Sequence, residues 1–170
     1  MTTRPYEWPW DGPGLDPRRL ALLVVGGQEG PLERVAKVVR DAGGLVVCVV
    51  RDGDEAEFGF AVEPGDVVLT AAGVSAFYGS ALDLVLRCAG RTHLAVGGVG
   101  LETEVYSTVT SANDRGYECL VLADACLAHD DAVGERALAS MTMSGGIFGA
   151  VGTTADLLEL LSVLGEETGA

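Results

Sequence analysis

Two stretches of this chain are apolar at every position, Leu20 to Val25 and Leu45 to Val50. A strand with one wet face alternates apolar and polar residues. A strand apolar throughout has to be covered on both faces, as in a parallel sheet sandwiched between helices. The segment between the two runs carries Leu32, Val35, Val39 and Ala42 at helical spacing and stops at Gly43-Gly44, so it predicts a crossover helix. The alternation continues. Arg51 to Glu63 reads as a polar loop, and Val67 to Thr70 as a short strand after the Pro64-Gly65-Asp66 turn. Phe77 to Cys88 predicts a helix with Phe77, Ala81, Leu84, Val85 and Cys88 inward. A strand at Leu94 to Val96 ends in Gly97-Gly98-Val99-Gly100, and a helix follows from about Glu102 to Arg115. Leu120 to Leu122 predicts a strand, Ala132 to Met143 a helix, Gly146 to Val151 a last strand and Ala155 to Leu164 a final helix. The class implied is α/β: a doubly wound, mainly parallel sheet of five to six strands with helices on both faces, in three Rossmann-like layers. Residues 1–19 form an N-terminal arm, 20–165 a single domain and 166–170 an acidic tail.

At 170 residues the chain is long enough for one full core. Its net charge of −14 excludes nucleic acid and anionic membrane surfaces as partners, since both require a basic face. No apolar run approaches the roughly 20 residues of a membrane span. The first residues, Met1 to Trp8, lack the apolar stretch of a signal peptide. Cys48, Cys88, Cys119 and Cys126 sit at irregular spacing without a Cys-x-x-Cys pair, as expected of reduced, packed thiols in a cytoplasmic protein.

Topology also locates a site. In doubly wound sheets, ligands bind beyond the carboxyl ends of the strands where the strand order reverses. For an order 3-2-1-4-5 that point lies between Gly26-Gly27-Gln28, after the first strand, and Gly97-Gly98, after the fourth. A pocket is therefore expected beside Gly26, the Ala71 loop and Glu104. Its remaining residues are expected to be Gln28, Phe77, Gly100, Leu101, Thr103 and Tyr106.

The segment from Gly98 to Tyr117 resembles the signature of the isochorismatase-like cysteine hydrolases, G-V-x-T-x-x-C-V-x-x-T-A-x-x-A-x-x-x-G-Y. The matching residues are Gly98, Val99, Val105, Thr108, Ala112, Gly116 and Tyr117. The opening Arg4-Pro5-Tyr6-Glu7-Trp8-Pro9-Trp10-Asp11-Gly12 resembles that of the ureidoacrylate and biuret amidohydrolase branch. Met141 to Gly149 resembles its M-x-M-x-G-G-I-F-G, and Ser75-Ala76-Phe77 its S-A-F. The resemblance implies the family's fold and a pocket at the same place. It also implies a catalytic triad, and this sequence departs from it at each position. The aspartate of V-V-D-M-Q is Gly26, the lysine four residues before S-A-F is Ala71, and the nucleophilic cysteine is Glu104. The metal-type cluster of the nicotinamidase branch is missing as well, so no metal and no cofactor are expected. The loops after the first two strands are short against the family pattern. The pocket is therefore expected to be shallow, open or completed by another chain.

Two functions follow as expectations. The first is a catalytically degenerate member that acts as a structural or regulatory subunit, or binds a small molecule without turnover. It would assemble as a homo-oligomer, or as a hetero-oligomer with an active paralogue. The second is a repurposed enzyme in which Glu104 serves as general acid or base for isomerisation, elimination or cyclisation. Glu104 also fits a plain structural role, because acids are favoured in a helix's first turn. Hydrolysis by a relocated nucleophile at Cys126 is the weakest alternative. His129 is expected in a surface loop, and His93 as a structural residue at the start of a buried strand. Tyr6, Trp8, Pro9 and Trp10 either pack on the domain itself or cross a subunit interface.

Overall fold

The computed structural model describes residue 10 and residues 15–27, 31–54 and 58–167. Its strands are β1 (Leu20–Val25), β2 (Leu45–Arg51), β3 (Val67–Ala71), β4 (His93–Val99), β5 (Glu118–Leu127) and β6 (Ala150–Gly152). Its helices are α1 (Leu32–Asp41), α2 (Leu82–Cys88), α3 (Tyr106–Asp114), α4 (Asp131–Met141), α5 (Met143–Gly146) and α6 (Thr154–Glu167). The six strands form one sheet in the order β3-β2-β1-β4-β5-β6. Every neighbouring pair is parallel. The doubly wound α/β expectation holds, and β6 takes the sixth place.

β1 shows why the sheet has to be covered twice. All six of its residues are buried. Leu20, Leu22 and Val24 join the core that holds α1 and α6, while Ala21, Leu23 and Val25 join the core that holds α2, α3 and Met141 of α4. Burying each large side chain stabilises the fold by about 1.5–3 kcal/mol. Trp10 is fully buried in the first of these cores, with its ring set edge-on to His93 at a centroid distance of 5.4 Å. For this residue of the arm, packing on the chain's own domain is what the fold uses. Tyr6, Trp8 and Pro9 lie outside the described residues.

Four boundaries differ from expectation. α2 begins at Leu82 rather than Phe77, because residues 72–79 close into a loop. The Ala72 N–H donates to the Tyr78 carbonyl at 2.9 Å, and Gly79 turns at φ +64°. The helix phase shifts with its start: Leu82 and Leu86 are buried, whereas Leu84 and Cys88 face solvent. β4 does not stop at its glycines but runs through Gly97-Gly98 to Val99. A Cβ on Gly97 would lie 2.9 Å from the Ala125 carbonyl oxygen, so these glycines allow close strand approach rather than a break. Residues 143–146 form a short helix ahead of β6. α6 runs on through Glu166 and Glu167, so the acidic tail begins as helix.

Candidate functional site

The strand order reverses between β1 and β4, and the carboxyl ends of β1 to β4 surround a cavity of about 220 Å³. Its walls are apolar: Val25 from β1, Val49 and Val50 from β2, Ala71 from β3 and Val99 from β4. Gly26 and Gly27 close the β1 side, and Arg51, Asp54, Glu104 and His129 form a charged and polar rim.

Glu104 reaches the rim because of the turn that carries it. Gly100 sits at φ +76°, a left-handed conformation natural for glycine. Residues 101–105 then make one wide turn in which the Val105 N–H donates to the Gly100 carbonyl five residues back, at 2.9 Å. Such single π turns recur at functional sites. The Thr103 hydroxyl donates to Glu104 Oε2. Arg51 Nη1 lies 3.8 Å from Glu104 Oε1, and His129 Nε2 lies 3.7 Å from Oε2. The Glu104 side chain is 24% exposed, so its carboxylate is sheltered but reachable.

Glu102 sets the position of His129. Its Oε1 accepts from the backbone N–H groups of His129 at 2.8 Å and Asp130 at 2.9 Å. Together with its own backbone N–H, these bonds hold the Glu102 carboxyl below its ordinary range. Asp130 in turn caps α4 by accepting from the Val133 N–H at 3.0 Å. The loop after β5 is thus pinned at both ends of a short span, with the imidazole over the cavity.

The structure brings together Gly26, Ala71 and Glu104, the three positions singled out in the sequence. Thr103 contributes through its bond to Glu104, and Gly100 through the turn, although neither lines the cavity. Three expected pocket residues belong elsewhere. Phe77 is buried, stacks on Tyr117 at 5.8 Å and borders a separate hollow on the far side of Gly73-Val74. Leu101 is buried in the core, and Tyr106 packs against it one turn further on. The turn after Gly100 puts Leu101 and Tyr106 on the core side, whereas Phe77 is held in the 72–79 loop. Gln28 lies outside the described residues. Arg51, Asp54 and His129 are rim residues that motif reading missed. The available signal was positional, since Arg51 ends a strand next to the reversal point.

Cys126 is not among the cavity residues. Its Sγ faces the Val96 carbonyl, and burial pushes the thiol up to about 12. His93 is buried at the start of β4, with Nδ1 3.0 Å from Thr92 Oγ1.

Fold and site together define a doubly wound α/β protein with a small pocket at the reversal of its strand order. The chain belongs to the isochorismatase family, whose domain profile matches residues 24–156. It is 41% identical over 63 residues to the ureidoacrylate amidohydrolase RutB of Methylobacterium radiotolerans, a match that covers 37% of this chain and 24% of that enzyme's length. An isochorismatase family protein from Burkholderia thailandensis superposes with a TM-score of 0.75 at 26% identity, over 87% of this chain and 97% of that one. A cysteine hydrolase from Pseudomonas syringae pv. phaseolicola shares the fold with a TM-score of 0.81 at 20% identity, over 96% of this chain and 98% of that one. Among the described residues, no helix is long and apolar enough to cross a membrane.

Proposed function

We propose that this chain is a non-hydrolytic member of the isochorismatase family that binds a small molecule in the β1–β4 crevice. One observation carries the reading. Gly26, Ala71 and Glu104, at the positions where the resemblance implies a base, a cation and a nucleophile, line one cavity, and no cysteine or lysine is among its lining residues. A covalent amidase of that design needs a thiolate, a base to form it and donors for the oxyanion. A Cys126 thiol pushed up to about 12 stays protonated at neutral pH and is no substitute. The persistence of an apolar-walled cavity supports binding over a purely structural role. The test is ammonia release from ureidoacrylate, the substrate in the name of the relative above, with and without iodoacetamide. The expected result is no release above the uncatalysed rate. Release above that rate would overturn the reading, and its loss with iodoacetamide would assign it to a thiol.

Assembly belongs to the same proposal. Met143 and Ile147 are about half exposed, at 54% and 51%, in the segment that resembles M-x-M-x-G-G-I-F-G. Native mass spectrometry of the protein from its own host is expected to give an oligomer, with itself or with a longer homologue. A monomer at micromolar concentration would refute assembly.

A second reading is favoured by the 3.7 Å approach of His129 Nε2 to Glu104 Oε2. Here Glu104 moves a proton on a small substrate as general acid or base, with the imidazole as its partner. In that case Glu104→Gln abolishes turnover and leaves the melting temperature nearly unchanged. Turnover that survives Glu104→Gln would eliminate this mechanism.

A further inference from the structure

We infer that the cavity takes a small organic cation, with an ammonium or amidinium head on Glu104 and Asp54 and a short apolar body against Val25, Val49 and Val99. This rests on the small-molecule-binding reading above and names its ligand class.

The charge arrangement at the rim is the starting point. Two carboxylates share one guanidinium. Arg51 Nε lies 3.5 Å from Asp54 Oδ2, and Arg51 Nη1 lies 3.8 Å from Glu104 Oε1. Both are ion-pair distances, and neither is a hydrogen bond of good geometry. Each carboxylate offers about four acceptor positions. Among the described residues, the hydrogen bond Glu104 receives comes from the Thr103 hydroxyl alone. The pair of acids therefore retains acceptor capacity and, with the nearby His129 imidazole neutral, an excess of one negative charge over Arg51. A cationic head with several N–H donors satisfies both. An anionic head on Arg51 would sit against two carboxylates already within ion-pair distance of that guanidinium. The chain's net charge of −14 acts in the same direction, raising the local concentration of cations and lowering that of anions.

The walls set the rest of the ligand. The valines offer no hydrogen bonds, so the body they hold is apolar. A cavity of about 220 Å³ suits a small ligand with a short apolar body.

The experiment titrates the full chain with n-butylammonium, butyrate and 1-butanol at low salt, followed by calorimetry and amide chemical shifts. n-Butylammonium is expected to bind at least tenfold more tightly than 1-butanol, with shifts centred on Gly26, Val99 and Glu104, and butyrate is expected not to bind. Glu104→Gln should weaken n-butylammonium at least tenfold. Arg51→Ala, which removes the competing guanidinium, should tighten it several-fold, a change of sign that general loosening of the site would not produce. Equal binding of butyrate or 1-butanol, unchanged affinity in Glu104→Gln, weakened affinity in Arg51→Ala, or no binding of any probe would each overturn the inference. Absence of cation binding together with absence of ammonia release would discard the ligand class alone. Ammonia release would discard the non-hydrolytic reading whatever the cation does.

Discussion

Gly98→Ala tests the geometry on which the cavity is built. Gly98 pairs with Val25 across the β1–β4 junction, at the point where the strand order reverses. It holds φ +146°, and a Cβ placed there would lie 1.9 Å from the Val25 carbonyl oxygen and 2.9 Å from the Val25 nitrogen. Comfortable non-bonded separation is roughly 3.5 Å, so the strands would have to part by about 1.6 Å. Parallel strands sit about 4.8 Å apart, and a displacement of that size breaks the local ladder. The left-handed backbone costs about 1–2 kcal/mol for alanine. Overpacking adds about 1–3 kcal/mol, and each lost ladder bond about 1 kcal/mol. With one lost bond the sum is about 3–6 kcal/mol, a large part of the 5–15 kcal/mol that holds a typical domain together. Gly53→Ala is the control. Its φ is +89° and no described residue lies within 4 Å of the added Cβ, so the backbone cost of about 1–2 kcal/mol is the one expected. Urea unfolding followed by far-UV circular dichroism compares the two through their midpoints at a common slope. If Gly98→Ala loses no more stability than Gly53→Ala, the close approach of β1 and β4 is wrong, and so is the floor of the cavity.

Two further outcomes follow from buried titratable groups. Burial, with Arg19 adding repulsion, lowers the proton affinity of His93 in the folded state. The unfolded chain then binds the extra proton first as pH falls through about 6.5, so folding stability drops below that pH. Stability curves between pH 7.5 and 5 are expected to be flatter for His93→Gln, and equal slopes would contradict this account. Among the thiols, burial pushes both Cys48 and Cys126 up to about 12, whereas Cys88 is exposed. A disulfide-exchange reagent at pH 8 should label exposed Cys88 first, half-buried Cys126 more slowly, and buried Cys48 and Cys119 only on unfolding; native-state labelling of Cys126 as fast as that of Cys88 would refute its raised thiol.

The sheet was readable because its strands advertise double burial. Leu20 to Val25 and Leu45 to Val50 admit no solvent-facing register, and both became central strands with the predicted bounds to within a residue. The reading of α2 failed for a reason local to the chain. Its apolar residues fit a helical period from Phe77 onward, but the Ala72–Tyr78 hydrogen bond and the turn at Gly79 keep residues 77–81, Phe77 and Ala81 among them, out of the helix. A period of 3.6 residues cannot show where a helix starts when a loop supplies the preceding apolar positions. Likewise, Gly97 and Gly98 read as a strand end in one dimension. In three dimensions they are the price of bringing Ala125 and Val25 within reach of β4.

The site divides along the same line. Gly26, Ala71 and Glu104 converge because each sits just beyond, or at the end of, a strand around the reversal point, and topology alone brings such positions together. Arg51 is equally placed by topology, yet it carries no motif, and its importance comes only from the distance to Glu104 and Asp54. His129 is different again. It lies 25 residues from Glu104 in sequence, and its imidazole reaches the rim because Glu102 takes the two N–H groups of the loop. No spacing rule encodes that latch. A glutamate two residues before another glutamate in a first helical turn looks like repeated dipole compensation, and Glu102 and Glu104 were open to that single explanation. The structure separates them: one carboxylate faces the backbone of the next loop, the other the cavity. Adjacent acids with the same sequence signature thus do different work, the first by fixing a neighbour in place and the second by leaving acceptors free at the rim.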